Sequence, residues 1–99
     1  MRFMSKIEIT GETKFSKERI SKELDKLVKD RLHTLKQKIK EVVQDLEYYR
    51  RKYELSDENF LLAFANGELG DDEDYFLWKA SVNVLQSLEE EQQVLQEVL

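Results

Sequence analysis

Cysteine and proline are both missing from the 99 residues. Without cysteine there are no disulfides, no thiolate metal sites and no thiol nucleophile. Without proline nothing forbids long uninterrupted helices. Glycine is scarce, with only Gly11, Gly67 and Gly70, all at points where the chain is expected to turn. His33 is the single histidine, so neither a zinc site nor a catalytic triad can be assembled around it, and it reads as a solvated surface residue. No apolar run approaches the roughly 18 residues of a membrane span. The start, Met1 to Lys6, lacks the apolar stretch of a signal peptide. A soluble, cytoplasmic protein is therefore expected, with no membrane partner.

What the chain does have is charge, at 37% of residues, alongside 40% hydrophobic residues. That is too apolar for full disorder and too charged for a thick core, so a single small domain that gains buried surface from a partner or a second copy is expected. The net charge of −5 hides a split. Residues 1–55 hold 15 Lys/Arg and 10 Asp/Glu, net +5, whereas residues 56–99 hold 1 and 11, net −10. Either the halves attract each other or each attracts something else.

Residues 1–15 read as an N-terminal arm, with Phe3, Ile7 and Ile9 alternating as in a short strand before Gly11. A long basic helix is predicted over 16–54. Ser16 is a suitable N-cap, and Phe15 with Ile20 has the spacing of a hydrophobic staple. Val28, Leu32, Leu35, Ile39, Val42, Leu46, Tyr49 and Tyr53 then recur at alternating steps of four and three, which is a heptad seam. Ile20 and Leu24 are one residue out of phase with it. Lys29, Arg31, Lys36, Lys38, Arg50 and Lys52 flank the seam, so a parallel copy would repel and an acidic helix would be favoured.

A short helix is predicted over 57–66, opened by Ser56-Asp57 and closed by Gly67. Asp71-Asp72-Glu73-Asp74 then marks a helix start. Consecutive carboxylates there cap N–H groups and suit the positive end of the helix dipole, and they lack the convergent spacing of a calcium loop. The last, acidic helix is predicted over 72–99. Trp78, Leu85, Leu88, Leu95 and Leu99 mark its seam, Ser81 and Gln92 interrupt it, and Glu89 and Glu91 flank it.

The economical architecture is all-α: a long antiparallel helical hairpin of coiled-coil type, with the short helix at the bend. Leu85, Leu88, Leu95 and Leu99 are expected to meet the first helix's seam, within one chain or between copies. Tyr49, Tyr53, Phe60, Phe64, Phe76 and Trp78 are expected to anchor the bend, where the aromatics concentrate. Val43, Val84, Val94 and Val98 are surplus to the seam and suit a second contact surface.

The acids fall in solvated runs and no Gly-rich phosphate loop exists, so a non-catalytic protein without cofactor, metal or small-molecule substrate is expected. The stretch Ser-Asp-Glu-Asn-Phe60, Phe64, and Gly67-Glu-Leu-Gly-Asp-Asp-Glu-Asp-Tyr-Phe-Leu-Trp78 resembles a segment of small prokaryotic, often archaeal, proteins that look like antitoxins of toxin–antitoxin pairs. The resemblance covers Ser56–Trp78, about a quarter of the chain. It implies a protein that binds and silences a toxin through its helices. The expected function is thus a protein–protein interaction module, with a toxin or another copy of itself as partner. Two other readings stand beside it. One is a nucleic-acid-binding regulator in which Arg50, Arg51 and Lys52 contact phosphates, which the chain's overall acidity opposes. The other is a purely structural coiled-coil scaffold.

Overall fold

The computed structural model describes residues 14–99. Three helices follow one another: α1 (Lys14–Tyr53), α2 (Asp57–Ala65) and α3 (Glu73–Val98). α3 runs back along α1, so the fold is the all-α helical hairpin that the two seams imply, with α2 at the bend. There is no strand among the described residues. The strand or arm expected over 1–15 lies outside them, apart from Lys14 and Phe15, which belong to α1. At 1.5 Å per residue the 40 residues of α1 extend about 60 Å. The molecule is accordingly a rod of 62 × 26 × 18 Å.

α1 begins two residues before Ser16, so Ser16 sits in its first turn and does not cap it. Nothing at Lys14 or Phe15 opposes helical dihedrals, and a capping preference alone does not stop a helix from starting earlier. Ile20 is exposed; the staple expected between it and Phe15 rests on a side chain outside the described ones.

The other ends follow local chemistry. Ser56 caps α2, its hydroxyl oxygen accepting from the Asn59 N–H at 3.1 Å. α2 closes with Gly67 at φ +69°, while Glu68 N–H donates to Ala63 O and Gly67 N–H to Phe64 O. This pair of bonds is the Schellman arrangement, which needs a left-handed residue and is least strained with glycine. Asp72 caps α3 by accepting from the Asp74 N–H at 2.8 Å. α1 ends one residue earlier than expected, because Glu54 takes φ +53° and lets Leu55 N–H reach back to Arg50 O. That is the same closure, made with a residue that has a Cβ.

The described core is a thin line. Leu32, Leu35 and Leu46 of α1, Phe60 of α2 and Trp78 of α3 are buried. Val42, Tyr49, Tyr53, Leu61, Phe64, Val82 and Leu85 pack around the cluster formed by Leu46, Phe60 and Trp78. A fully buried leucine contributes about 1.5–3 kcal/mol, so these few side chains carry most of the hairpin's stability.

Replacing Glu54 with glycine is expected to stabilise the fold by about 1 kcal/mol, since the left-handed region costs an L-residue about that much. Urea denaturation followed by circular dichroism measures it. An unchanged or lower midpoint would mean that Glu54 bears no strain.

Candidate interaction site

The three helices converge on the Trp78 indole. Its ring stacks on Phe60 at 3.9 Å between centroids, with 5° between planes. Tyr49 and Tyr53 lie against it from α1, each at 5.9 Å. Its Nε1–H donates to Asp57 Oδ1 at 3.0 Å. The Asp57 carboxylate also takes a bidentate grip from Arg50, with Nε at 3.0 Å and Nη2 at 2.6 Å. Two parallel bonds from a planar guanidinium fix direction as well as distance. One carboxylate at the start of α2 thereby ties the end of α1 to the middle of the bend and to α3.

A second carboxylate does similar work. Asp74 Oδ2 accepts from Lys52 Nζ and from Tyr53 Oη, both at 2.6 Å. The Lys52 ammonium also lies over the Tyr53 and Tyr48 rings, at 5.3 and 5.7 Å. Farther along the hairpin, Arg31 makes a bidentate pair with Glu91 at 2.7 and 3.0 Å. That bond joins a member of α1's basic flank to a member of α3's acidic flank.

The seam residues are brought together with one exception. Leu32, Leu35 and Leu46 are buried, and Val28, Ile39, Val42, Leu85, Leu88 and Leu95 are half-buried. Leu99 is not a seam residue. It lies just past the end of α3 and is 57% exposed. Of the bend anchors, Trp78 and Phe60 are buried, and Tyr49, Tyr53 and Phe64 are half-buried against them. Phe76 is the correction in this group. It touches Phe64 edge-on but is 54% exposed, because it stands two residues from Trp78 and so points away from the core.

Arg50, Arg51 and Lys52 do not form one basic surface. Arg50 and Lys52 are turned onto Asp57 and Asp74, while Arg51 stands in solvent, 3.8 Å from Glu47. A groove lined by Gln44, Glu47, Tyr48, Arg51 and Lys52 runs along this stretch of α1 and is open to solvent.

The sequence missed Asp57 and Asp74 as tertiary ligands, since both sit where a helix-opening acid is sufficient explanation. Asp57 follows Arg50 by seven residues, about 10 Å apart along one helix and too far to bond, so the pair forms only because the helix ends between them. The unusual run Arg50-Arg51-Lys52 beside the bend was the available signal.

These contacts set the pH range of the fold. The Arg50 guanidinium holds the Asp57 carboxyl below its ordinary value of 3.8, with the Trp78 N–H assisting and burial opposing. Asp74 is lowered by Lys52 first and Tyr53 second, and Glu91 by Arg31. A lowered carboxyl contributes stability that is complete above its unfolded pKa and is lost as pH falls through the folded one. At the other end, donation to Asp74 pushes the Tyr53 hydroxyl up to about 12, and burial raises Tyr49. A raised hydroxyl contributes fully below the unfolded value of 10.0 and loses that contribution as pH climbs toward about 12.

The melting temperature is expected to be flat through neutral pH, to fall in acid below about pH 4 and to fall again in alkali above about pH 10. Asp57→Asn should lower the plateau and flatten the acid limb, and Tyr53→Phe should flatten the alkaline one. Trp78→Phe should cost about 2–4 kcal/mol through lost packing and a lost charge-assisted bond. A thermal scan against pH, with urea denaturation of the Trp78 variant, checks these. An Asp57→Asn profile parallel to that of the parent would remove the carboxylate from the account.

No family model, no curated protein and no solved structure matches this chain.

Proposed function

We propose that this chain is a non-catalytic protein–protein interaction module, of the antitoxin kind implied by the resemblance of Ser56–Trp78, acting through helix faces that lie outside its own core. The observation that carries this reading is the exposed apolar surface. Ile20, Leu24 and Leu27 on α1 and Val84, Val94 and Val98 on α3 are all about half exposed or more. Scattered exposed leucines are ordinary, but Ile20, Leu24 and Leu27 recur at steps of four and three and form a ridge on α1, and Val94 and Val98 stand one turn apart on α3. Ridges of this kind are what one helix offers another.

The disposition of charge supports a protein partner over a nucleic acid. Arg50 and Lys52 are satisfied by carboxylates of the same chain, and releasing them would forfeit the bonds that hold the bend. Salt-dependent phosphate binding draws on cations that are free to exchange counterions. No described helix is long and apolar enough to cross a membrane.

The test is co-expression with the product of the neighbouring reading frame, scored by growth and by co-elution. Relief of that product's growth arrest and a stable complex are expected. Leu77→Lys with Val84→Lys, on the outer side of α3, should weaken the complex about tenfold or more. The absence of both relief and complex, together with salt-sensitive binding of labelled duplex DNA that is lost on replacing Arg51, would move the assignment to the nucleic-acid reading.

A further inference from the structure

The two long helices differ in what lies beside their seams. The seam of α1, from Val28 to Tyr53, faces α3. The rows next to it are Lys29, Lys36, Val43 and Arg50 on one edge and Arg31, Lys38, Asp45 and Lys52 on the other. Seven of those eight side chains are charged, so neither row offers a second apolar ridge. α3 is different. Its inner ridge, with Trp78, Leu85, Leu88 and Leu95, packs toward α1 and the bend, and beside it runs another.

The second ridge stands one residue earlier all along the helix. Leu77, Ala80, Val84 and Ser87 are followed by Glu91, Val94 and Val98, at alternating steps of three and four. One residue is a rotation of about 100°, so this ridge points away from α1. α2 does not cover it, because Phe60 and Phe64 meet α3 on its other side, at Tyr75 and Lys79. Leu77 and Val84 are each 46% exposed, Val94 60% and Val98 63%. The charge within the ridge, Glu91, is already paired with Arg31. From Leu77 to Val98 the ridge is about 32 Å long, or about six turns.

We infer that this outer ridge of α3 docks one helix of another protein, about six turns long, with a heptad ridge of its own and lysines or arginines along its edges. This names the partner's chemistry for the interaction reading above and rests on it. Charge selects the occupant. α3 holds six acidic residues and one lysine, net −5. Exposed Glu90 and Glu97 border the ridge on its outer edge, each one residue before a ridge position. The lysine, Lys79, lies on the other side of the helix against the Phe64 ring. Charges at the edges of a ridge decide which helix it accepts. The same preference operates within the chain, where Lys52 and Arg31 of α1 bond Asp74 and Glu91 of α3. A second copy fits less well. Its α3 would set −5 beside −5. Its α1 has its long seam already covered, and the stripe Ile20, Leu24 and Leu27 spans about two turns where the ridge spans six. Ala80 and Ser87 are small, which lets a partner helix approach closely between the larger side chains.

Fluorescence anisotropy on the full chain tests this, with two synthetic helical peptides of about four heptads as probes. Both carry leucine at the ridge positions; one has lysine along its edges and the other glutamate. The lysine peptide should bind about 30-fold more tightly or better at low salt. Val84→Asn with Val94→Asn leaves the charge unchanged and should weaken that binding about tenfold or more. Helical circular dichroism and Trp78 fluorescence should stay as in the parent, because both valines are exposed. Glu90→Lys with Glu97→Lys should move the preference about tenfold toward the glutamate peptide. Binding of the lysine peptide that ignores the valine variant would reduce it to charge attraction and overturn the ridge. Equal binding of the two peptides, or binding of neither, would overturn the basic partner. A parent chain that sediments as a dimer, and that Val84→Asn with Val94→Asn turns into a monomer, would give the ridge to a second copy instead. Peptide binding as expected, without co-elution of the neighbouring frame's product, would sink the proposed function and leave this docking chemistry standing. Co-elution of that product, with peptides that ignore the ridge, would do the reverse.

Discussion

Trp78 is gripped by all three helices, and the geometry of the bend depends on that grip. Phe60 stacks on one face, Tyr49 and Tyr53 lie against the ring from α1, and Asp57 accepts its N–H. An apolar residue there would leave Asp57 with Arg50 alone, and a polar one would forfeit the largest buried surface in the molecule. Arg50 makes the arrangement possible. A lone carboxylate beside a buried ring would be driven toward protonation, whereas one held by a bidentate guanidinium stays charged and keeps accepting.

From that anchor, order spreads along the hairpin by repetition. Leu46, Leu35 and Leu32 are buried in turn as α3 returns along α1, and the Arg31–Glu91 pair lies toward the far end of the contact. Exposed pairs of that sort contribute little energy, at most about 1 kcal/mol. Their value is directional, since opposite flanks favour one alignment of two otherwise similar ridges. The bend holds the aromatic knot and two ion-paired carboxylates, while toward the open end there are the Arg31–Glu91 pair and half-buried or exposed aliphatic side chains. Stability is therefore graded from one end of the rod to the other.

The fold was legible because its determinants are periodic. The four-three spacing from Val28 to Tyr53 identified the buried face of α1. Ser56, Gly67 and Asp72 mark helix ends by chemistry that depends on only a few neighbouring residues. The start of α1 and the left-handed Glu54 were not legible. Lysine and phenylalanine carry no boundary signal, and glutamate is not a residue from which positive φ is read. The bond network at the bend was hidden for a related reason. Asp57 and Asp74 each have a sufficient local role, and only the closing of the chain gives them a second one. Phe76 and Leu99 were assigned inward on general spacing; the rotation of α3 turns Phe76 outward, and Leu99 lies past the end of the helix.

The exposure of Ile20, Leu24 and Leu27 has a physical origin in the same periodicity. A straight helix cannot keep one stripe facing one neighbour indefinitely, because 3.6 residues per turn drifts against a repeat of 3.5. The seam of α1 runs from Val28 to Tyr53, and before it a phase slip of one residue sets Ile20, Leu24 and Leu27 on another side. A slip of that kind one turn later would set Arg31, not Leu32, in the seam. Placed before Val28 it leaves Leu32 buried and Arg31 beside it, half-buried and bonded to Glu91.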